Sequence, residues 1–188
     1  MLKELVVKNR SYRRFCQNKE VSWEQLRDFI DIGRLTASSA NRQPVRYILS
    51  CEPEKNEVIF KCLRWAGYLE GWDGPREGER PAAYIVMVEP VGSNAPHDEG
   101  IIGQTILLAA TEQGLGGCLL ANIDRKMLEE VLHVDEKYDV KLVIALGYPK
   151  EKVVLEEISQ TDDIKYYRDE KGIHHVPKIR LEDLILDY

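Results

Sequence analysis

The chain has 188 residues, of which 44% are hydrophobic and 31% charged, with a formal net charge of -6. That length and apolar fraction suffice for one domain with a full core, and the acidic balance excludes a surface built to cover a nucleic-acid backbone. No stretch approaches the ~18 apolar residues that a membrane span needs, and the opening MLKELVVKNRSYRRF carries no apolar signal region, so a cytoplasmic location is expected.

In chain order, residues 2–8 predict a short helix. Residues 22–35 predict a clearer one, with Trp23, Leu26, Phe29, Ile30 and Gly33 on one face and a capping box from Ser22 to Gln25. The polar loop Ser38-Ser39-Ala40-Asn41-Arg42-Gln43-Pro44 precedes a strand over Val45–Cys51. A helix is expected over Glu54–Tyr68, followed by the glycine- and charge-rich loop EGWDGPREGERP, a candidate lid over 70–80. Ala82–Val88 is a continuous apolar run, as in a strand buried on both faces.

Residues 98–113 are apolar around most of a helix, which requires cover from a core or from another subunit. Gly114-Leu115-Gly116-Gly117 ends that helix and leads into a strand over Cys118–Ala121. Asp124 caps a helix to Leu132, and Val140–Leu146 reads as a second central strand. The tail reads as a hairpin, with Tyr166-Tyr167-Arg168 and Ile173–Val176 flanking Asp169–Gly172, then a short helix around Leu181–Leu186. Helices and strands mix without βαβ alternation, so the class is α+β.

Three segments concentrate groups suited to a phosphorylated planar ligand. Arg10-Ser11-Tyr12-Arg13-Arg14-Phe15 offers guanidinium groups that grip phosphate in pairs; its bland alternative is a solvated helix end. The loop 38–44 offers Ser, Asn and Gln groups for ring edges and hydroxyls, or is an ordinary turn. Pro177-Lys178-Ile179-Arg180, if extended, points Lys178 and Arg180 to one side, which suits a dianion. Cys16, Cys51, Cys62 and Cys118 form no CxxC pair, so inert thiols are expected and no metal site. His174 and His175 are strand neighbours that face opposite sides; like His97 and His133, they are expected in surface or capping roles.

These segments resemble the nitroreductase family of FMN enzymes. The first is similar to its RRSxRxF start, the second to its PSxxNxQPW loop, Gly114–Cys118 to its GLGxC, and the last to its PKxR clamp, all in the family's order. The resemblance implies a nitroreductase-like fold, with a central, mostly antiparallel sheet flanked by helices in an intertwined homodimer.

The resemblance also implies FMN, reduced by NADH or NADPH and reoxidised in ping-pong fashion by small electron-poor acceptors such as nitroaromatics or quinones. Arg10, Ser11, Lys178 and Arg180 would serve the phosphate and ribityl end, and Arg13 the N1/O2 side of the ring. Ala37, Ser38, Ser39, Asn41 and Gln43 would reach in from the other subunit, and the backbone of Leu120, Ala121 and Asn122 would face N5/O4. No nucleophile or general base is required, because the flavin carries the chemistry. Trp65, Tyr68 and Trp72 are candidates to roof a substrate pocket, with core packing as the alternative for Trp65 and Tyr68. Asn9, Ala37 and Val45 depart from the family's arginine, proline and tryptophan. Competing functions are a non-catalytic FMN store or sensor, and enone reduction or dehalogenation on the same scaffold.

Overall fold

The computed structural model describes residues 1–186. Its centre is an antiparallel sheet of β1 (Arg46–Ser50), β2 (Ala83–Pro90), β3 (Gly116–Leu120) and β4 (Tyr138–Gly147), in the order β1-β2-β4-β3. The apolar run of β2 is explained by its central place. Ala83, Ile85 and Met87 enter one core layer, while Tyr84, Val86 and Val88 enter the other, so alternate residues feed opposite faces.

One layer is closed by α2 (Trp23–Gly33) and α4 (Asp98–Glu112), which pack on each other. In α2, Ser22 Oγ accepts the Gln25 backbone N–H at 3.2 Å and the Gln25 side chain accepts that of Ser22 at 3.1 Å, the expected reciprocal cap. Leu26 and Phe29 are thereby aimed at Ile102 and Ile106 of the core. The other layer is closed by α3 (Pro53–Lys61) and α5 (Arg125–Val131), which bring Ile59 and Leu128 under the sheet. Truncating a fully buried side chain here, Ile85→Ala for instance, would cost about 2–5 kcal/mol.

The helix α3 ends at Lys61 rather than at Tyr68. Leu63 instead bridges Ile123, and the Asp124 N–H donates to the Cys62 carbonyl at 2.8 Å, so pairing with a distant segment overrides local helix preference. The first helix, α1 (Leu2–Lys8), buries no side chain and touches α4.

A second sheet holds the tail. The expected hairpin is present as β6 (Tyr167–Arg168) and β7 (His174–Ile179), and β5 (Val153–Ile158), not anticipated from the sequence, joins β7 in parallel. The expected terminal helix reduces to one 3₁₀ turn at Leu181–Asp183. Among the described residues no helix is long and apolar enough to cross a membrane.

Candidate functional site

After α1 the chain runs alongside β3 in an extended course. The Tyr12 N–H donates to the Gly117 carbonyl at 3.0 Å, Phe15 N–H to the Glu79 carbonyl at 2.9 Å, and Cys16 N–H to the Tyr148 carbonyl at 2.8 Å. The glycine pair in GLGG makes this approach possible. A Cβ on Gly117 would lie 2.5 Å from the Ala145 carbonyl oxygen, and one on Gly116 would strike the Tyr12 ring. Phe15, fully buried, pins the far end of the segment.

The result is a cleft of about 350 Å³, within the ~300–1,000 Å³ usual for small-ligand sites. Arg10, Ser11 and Arg13 form one wall, and His174, Val176 and Lys178 another. The second set follows from strand geometry, because alternate residues of β7 share a face. Asn9, together with Gln104 and Leu107 of α4, Leu119 of β3 and Tyr166, completes the lining. Cationic groups more than 160 positions apart in sequence therefore border one space.

The cations there are unevenly partnered. Arg10 Nη2 donates to the Val6 carbonyl at 2.5 Å, while its Nε is buried with no partner. Burial also pulls its guanidinium below the ordinary pKa. Arg13, only 9% exposed, has an unpartnered Nε as well; its Nη1 lies 3.3 Å from the Ser11 carbonyl and 3.3 Å from His174 Nε2. The Tyr166 ring lies under the Arg13 guanidinium at 4.8 Å. Beneath the cleft, the buried Glu151 accepts the backbone N–H of Arg13 and of Arg14 and the guanidinium of Arg168.

Arg180 does not line this cleft. The strand ends at Ile179, and Arg180 Nε donates to Asp183 at 2.9 Å. Lys178 and Arg180 are thus not aimed together: the backbone at Arg180 is still extended, but its guanidinium is drawn to Asp183 of the 3₁₀ turn that follows.

The loop 38–44 lies apart from the cleft within its own chain. Ala40, Asn41 and Gln43 have positive φ of 49°, 54° and 48°, a region that only Asn among them enters readily. The conformation is held by Gln43 N–H to Ser38 Oγ at 2.8 Å and by Ser39 N–H to the buried Asp98 carboxylate at 2.9 Å. Ala37 leads into this loop and is exposed. Leu120 ends β3 in the core, whereas Ala121 and Asn122 are exposed just beyond it.

Of the aromatic residues, Trp65 is buried in the core. Tyr68 is half exposed and packs on Tyr166, with ring centroids 5.0 Å apart. Trp72 is partly buried beneath the Arg168 guanidinium at 4.2 Å. The far end of the 70–80 loop is anchored: Gln17 accepts from the Gly78 and Arg80 N–H groups, and Glu79 pairs with Arg14.

His174 corrects the surface role expected of it, being 1% exposed and part of the cleft wall. Tyr166 and His174 were both missed as site residues. The available signal was the spacing of His174, Val176 and Lys178, which puts all three on one face of an extended strand.

Comparison with known proteins agrees with this architecture. The profile described as the nitroreductase family matches residues 92–148. A protein of Archaeoglobus fulgidus with the provisional name NADH dehydrogenase/NAD(P)H nitroreductase is 26% identical over 158 residues, covering 79% of this chain and 86% of its own. Among solved structures, an FMN-dependent nitroreductase from Clostridium difficile is 27% identical with a TM-score of 0.65, covering 79% of this chain and 87% of that one. A structure from Bacteroides thetaiotaomicron, provisionally named as the archaeal protein is, is 22% identical with a TM-score of 0.66, covering 92% and 95%. The α+β architecture is that of the nitroreductase fold, and the chain is similar to the nitroreductase family.

Proposed function

We propose that the chain is an FMN-dependent oxidoreductase that passes hydride from NADH or NADPH to small electron-poor acceptors such as nitroaromatics or quinones. The observation that carries this reading is the shared cleft of Arg10, Ser11, Arg13 and Lys178, drawn from opposite ends of the chain. Its donors fit the group: the buried Nε atoms of Arg10 and Arg13 lack acceptors, and an anionic ligand would supply them. The names of the archaeal and clostridial relatives, NAD(P)H nitroreductase and FMN-dependent nitroreductase, support the same reading.

Arg10, Ser11 and Lys178 would hold the phosphate and ribityl end, with Arg180 joining them once released from Asp183. Arg13 would stand at the N1/O2 edge and favour negative charge developing beside it, while backbone N–H groups around Leu120, Ala121 and Asn122 would serve N5/O4. Bound FMN supplies the acceptance and donation of hydride. Donor and acceptor would use one open face in turn, which gives ping-pong kinetics.

A second copy of the chain would complete the site, with Ala37, Ser38, Ser39, Asn41 and Gln43 reaching the ring. The exposed apolar side chains of α1 (Leu2, Val6, Val7), Ile101 of α4, and Leu181, Leu184, Ile185 and Leu186 support such an assembly. The test is the absorption spectrum of the purified protein, identification of any released chromophore, and anaerobic titration with each nicotinamide. A yellow dimer bleached by NADH or NADPH is expected. A colourless protein that takes up no added FMN would overturn the assignment, and a yellow one that passes electrons to no acceptor would turn it into an FMN store or sensor.

A further inference from the structure

The basic residues around the cleft differ in what neutralises them. Arg14 is gripped at two points by Glu79, Arg168 by Glu151, and Arg180 by Asp183. Among the described residues the Arg13 guanidinium meets no carboxylate. Its neighbours are the Ser11 carbonyl, the Tyr166 ring and His174 Nε2, all neutral acceptors. Glu151 is close, but it receives the Arg13 backbone N–H and not the side chain.

The contact at Nε2 fixes the state of His174. A guanidinium only donates, so Nε2 must present its lone pair, and the ring proton must sit on Nδ1. An imidazolium there would set N–H against N–H. Burial and the cations Arg13 and Arg168 also lower the basicity of this ring, opposed by Glu151. Nδ1 is itself buried without a partner among the described residues.

We propose that His174 is a positioning residue: as a neutral imidazole it holds the Arg13 guanidinium in the cleft wall through Nε2 without cancelling its charge, so that the charge is reserved for an anionic group entering the cleft. Glutamate at this position would also have held the arginine, but would have spent its charge. This rests on the FMN reading for the identity of the anion, which is the N1/O2 edge of the reduced ring, and not for the contact itself.

Two measurements separate the inference from that reading. In the first, nitrogen NMR of histidine-labelled, ligand-free protein should show His174 as the neutral Nδ1–H tautomer at about pH 6 and above. A ring protonated at pH 6, or protonated on Nε2 alone, would overturn the proposal whether or not FMN binds.

In the second, FMN affinity in the oxidised and reduced states is compared for the native protein, His174→Gln and His174→Glu, with thermal melts to establish folding. The Gln variant keeps a neutral acceptor and should retain the native preference for reduced FMN. The Glu variant should lose about tenfold of that preference, equivalent to ~1.4 kcal/mol, seen as a lower reduction potential. Equal preferences in Glu and native proteins would overturn the proposal. A native protein that binds no FMN would sink the functional reading and leave the NMR result to decide the contact.

Discussion

The carboxylate of Glu79 takes Arg14 at two points, Nε at 2.8 Å and Nη2 at 2.7 Å, although 65 residues separate the two in sequence. Lys150 approaches the same carboxylate at 3.2 Å. Through this pair the 70–80 loop and the cleft-forming segment are tied together, next to the Phe15 backbone bond to Glu79.

The Arg14 hydrogen bonds hold the Glu79 carboxyl at about 2, well below its ordinary 4.5. Because the folded value is the depressed one, the stabilisation is present above pH 4.5 and is lost as pH falls toward 2. Glu79→Gln should lower stability by on the order of 2 kcal/mol at neutral pH, the shift being discounted for the partly exposed partners. It should also flatten acid unfolding between those values. Chemical denaturation at several pH values checks this; a variant with native acid sensitivity would assign that sensitivity elsewhere.

Lys178 and Arg180 should contribute unequally to FMN binding. Lys178 borders the cleft, whereas Arg180 must first give up Asp183. Lys178→Ala is expected to weaken FMN affinity by about tenfold, ~1.4 kcal/mol, and Arg180→Ala by less. Fluorescence titration of the ligand-free protein measures both, and equal losses would mean that Arg180 swings into the cleft on binding.

The legible and illegible parts of the sequence divide by the range of the interactions that set them. The α2 cap at Ser22 and Gln25, the Asp124 cap of α5 and the two-sided burial of β2 are local patterns, and each is present as read. The end of α3 depends on the Leu63–Ile123 bridge, and β5 exists through its parallel pairing with β7, so neither boundary is written in its own segment. In the same way, Arg10, Arg13 and Lys178 border one cleft in the order of their motifs, while His174 shares a strand face with Lys178 and its contacts with Arg13 and Tyr166 come from distant segments.

Gly117 is a packing glycine rather than a turn glycine. Its missing Cβ leaves room for the Ala145 carbonyl and for Leu107, at 2.5 and 2.6 Å from where that atom would be. Gly117→Ala should therefore destabilise the protein by about 1–3 kcal/mol, the usual cost of overpacking. It should also reduce FMN content by displacing the Ser11 bridge to residue 117. Melting temperature and flavin-to-protein ratio are the two readouts, and native values of both would contradict the close fit.

Trp72 should act on substrate and not on cofactor. It is held beneath Arg168, which is itself paired with Glu151, so the ring has a fixed underside and a partly exposed edge. Trp72→Ala is expected to alter the KM for nitroaromatics or quinones while flavin content stays near native. Unchanged kinetics would remove this residue from the substrate pocket.

His175 faces away from the cleft and makes a different, pH-dependent contact. Its Nδ1 lies 2.6 Å from Glu156 and its Nε2 3.4 Å from Asp169, and the Tyr167 ring stacks on it at 4.7 Å. The Glu156 hydrogen bond, followed by that of Asp169, raises the imidazole above its ordinary 6.5. A raised folded value gives stability that is complete below pH 6.5 and lost as pH rises through the folded value. The small sheet of β5, β6 and β7 should therefore loosen on the alkaline side, the opposite direction from Glu79. Hydrogen exchange of the β6 and β7 amides, corrected for intrinsic rates, should show less protection at about pH 8 than at about pH 6. His175→Phe keeps the stacking surface for Tyr167 but removes the charge, so it should abolish the pH difference. If the difference survives in that variant, another group controls the sheet.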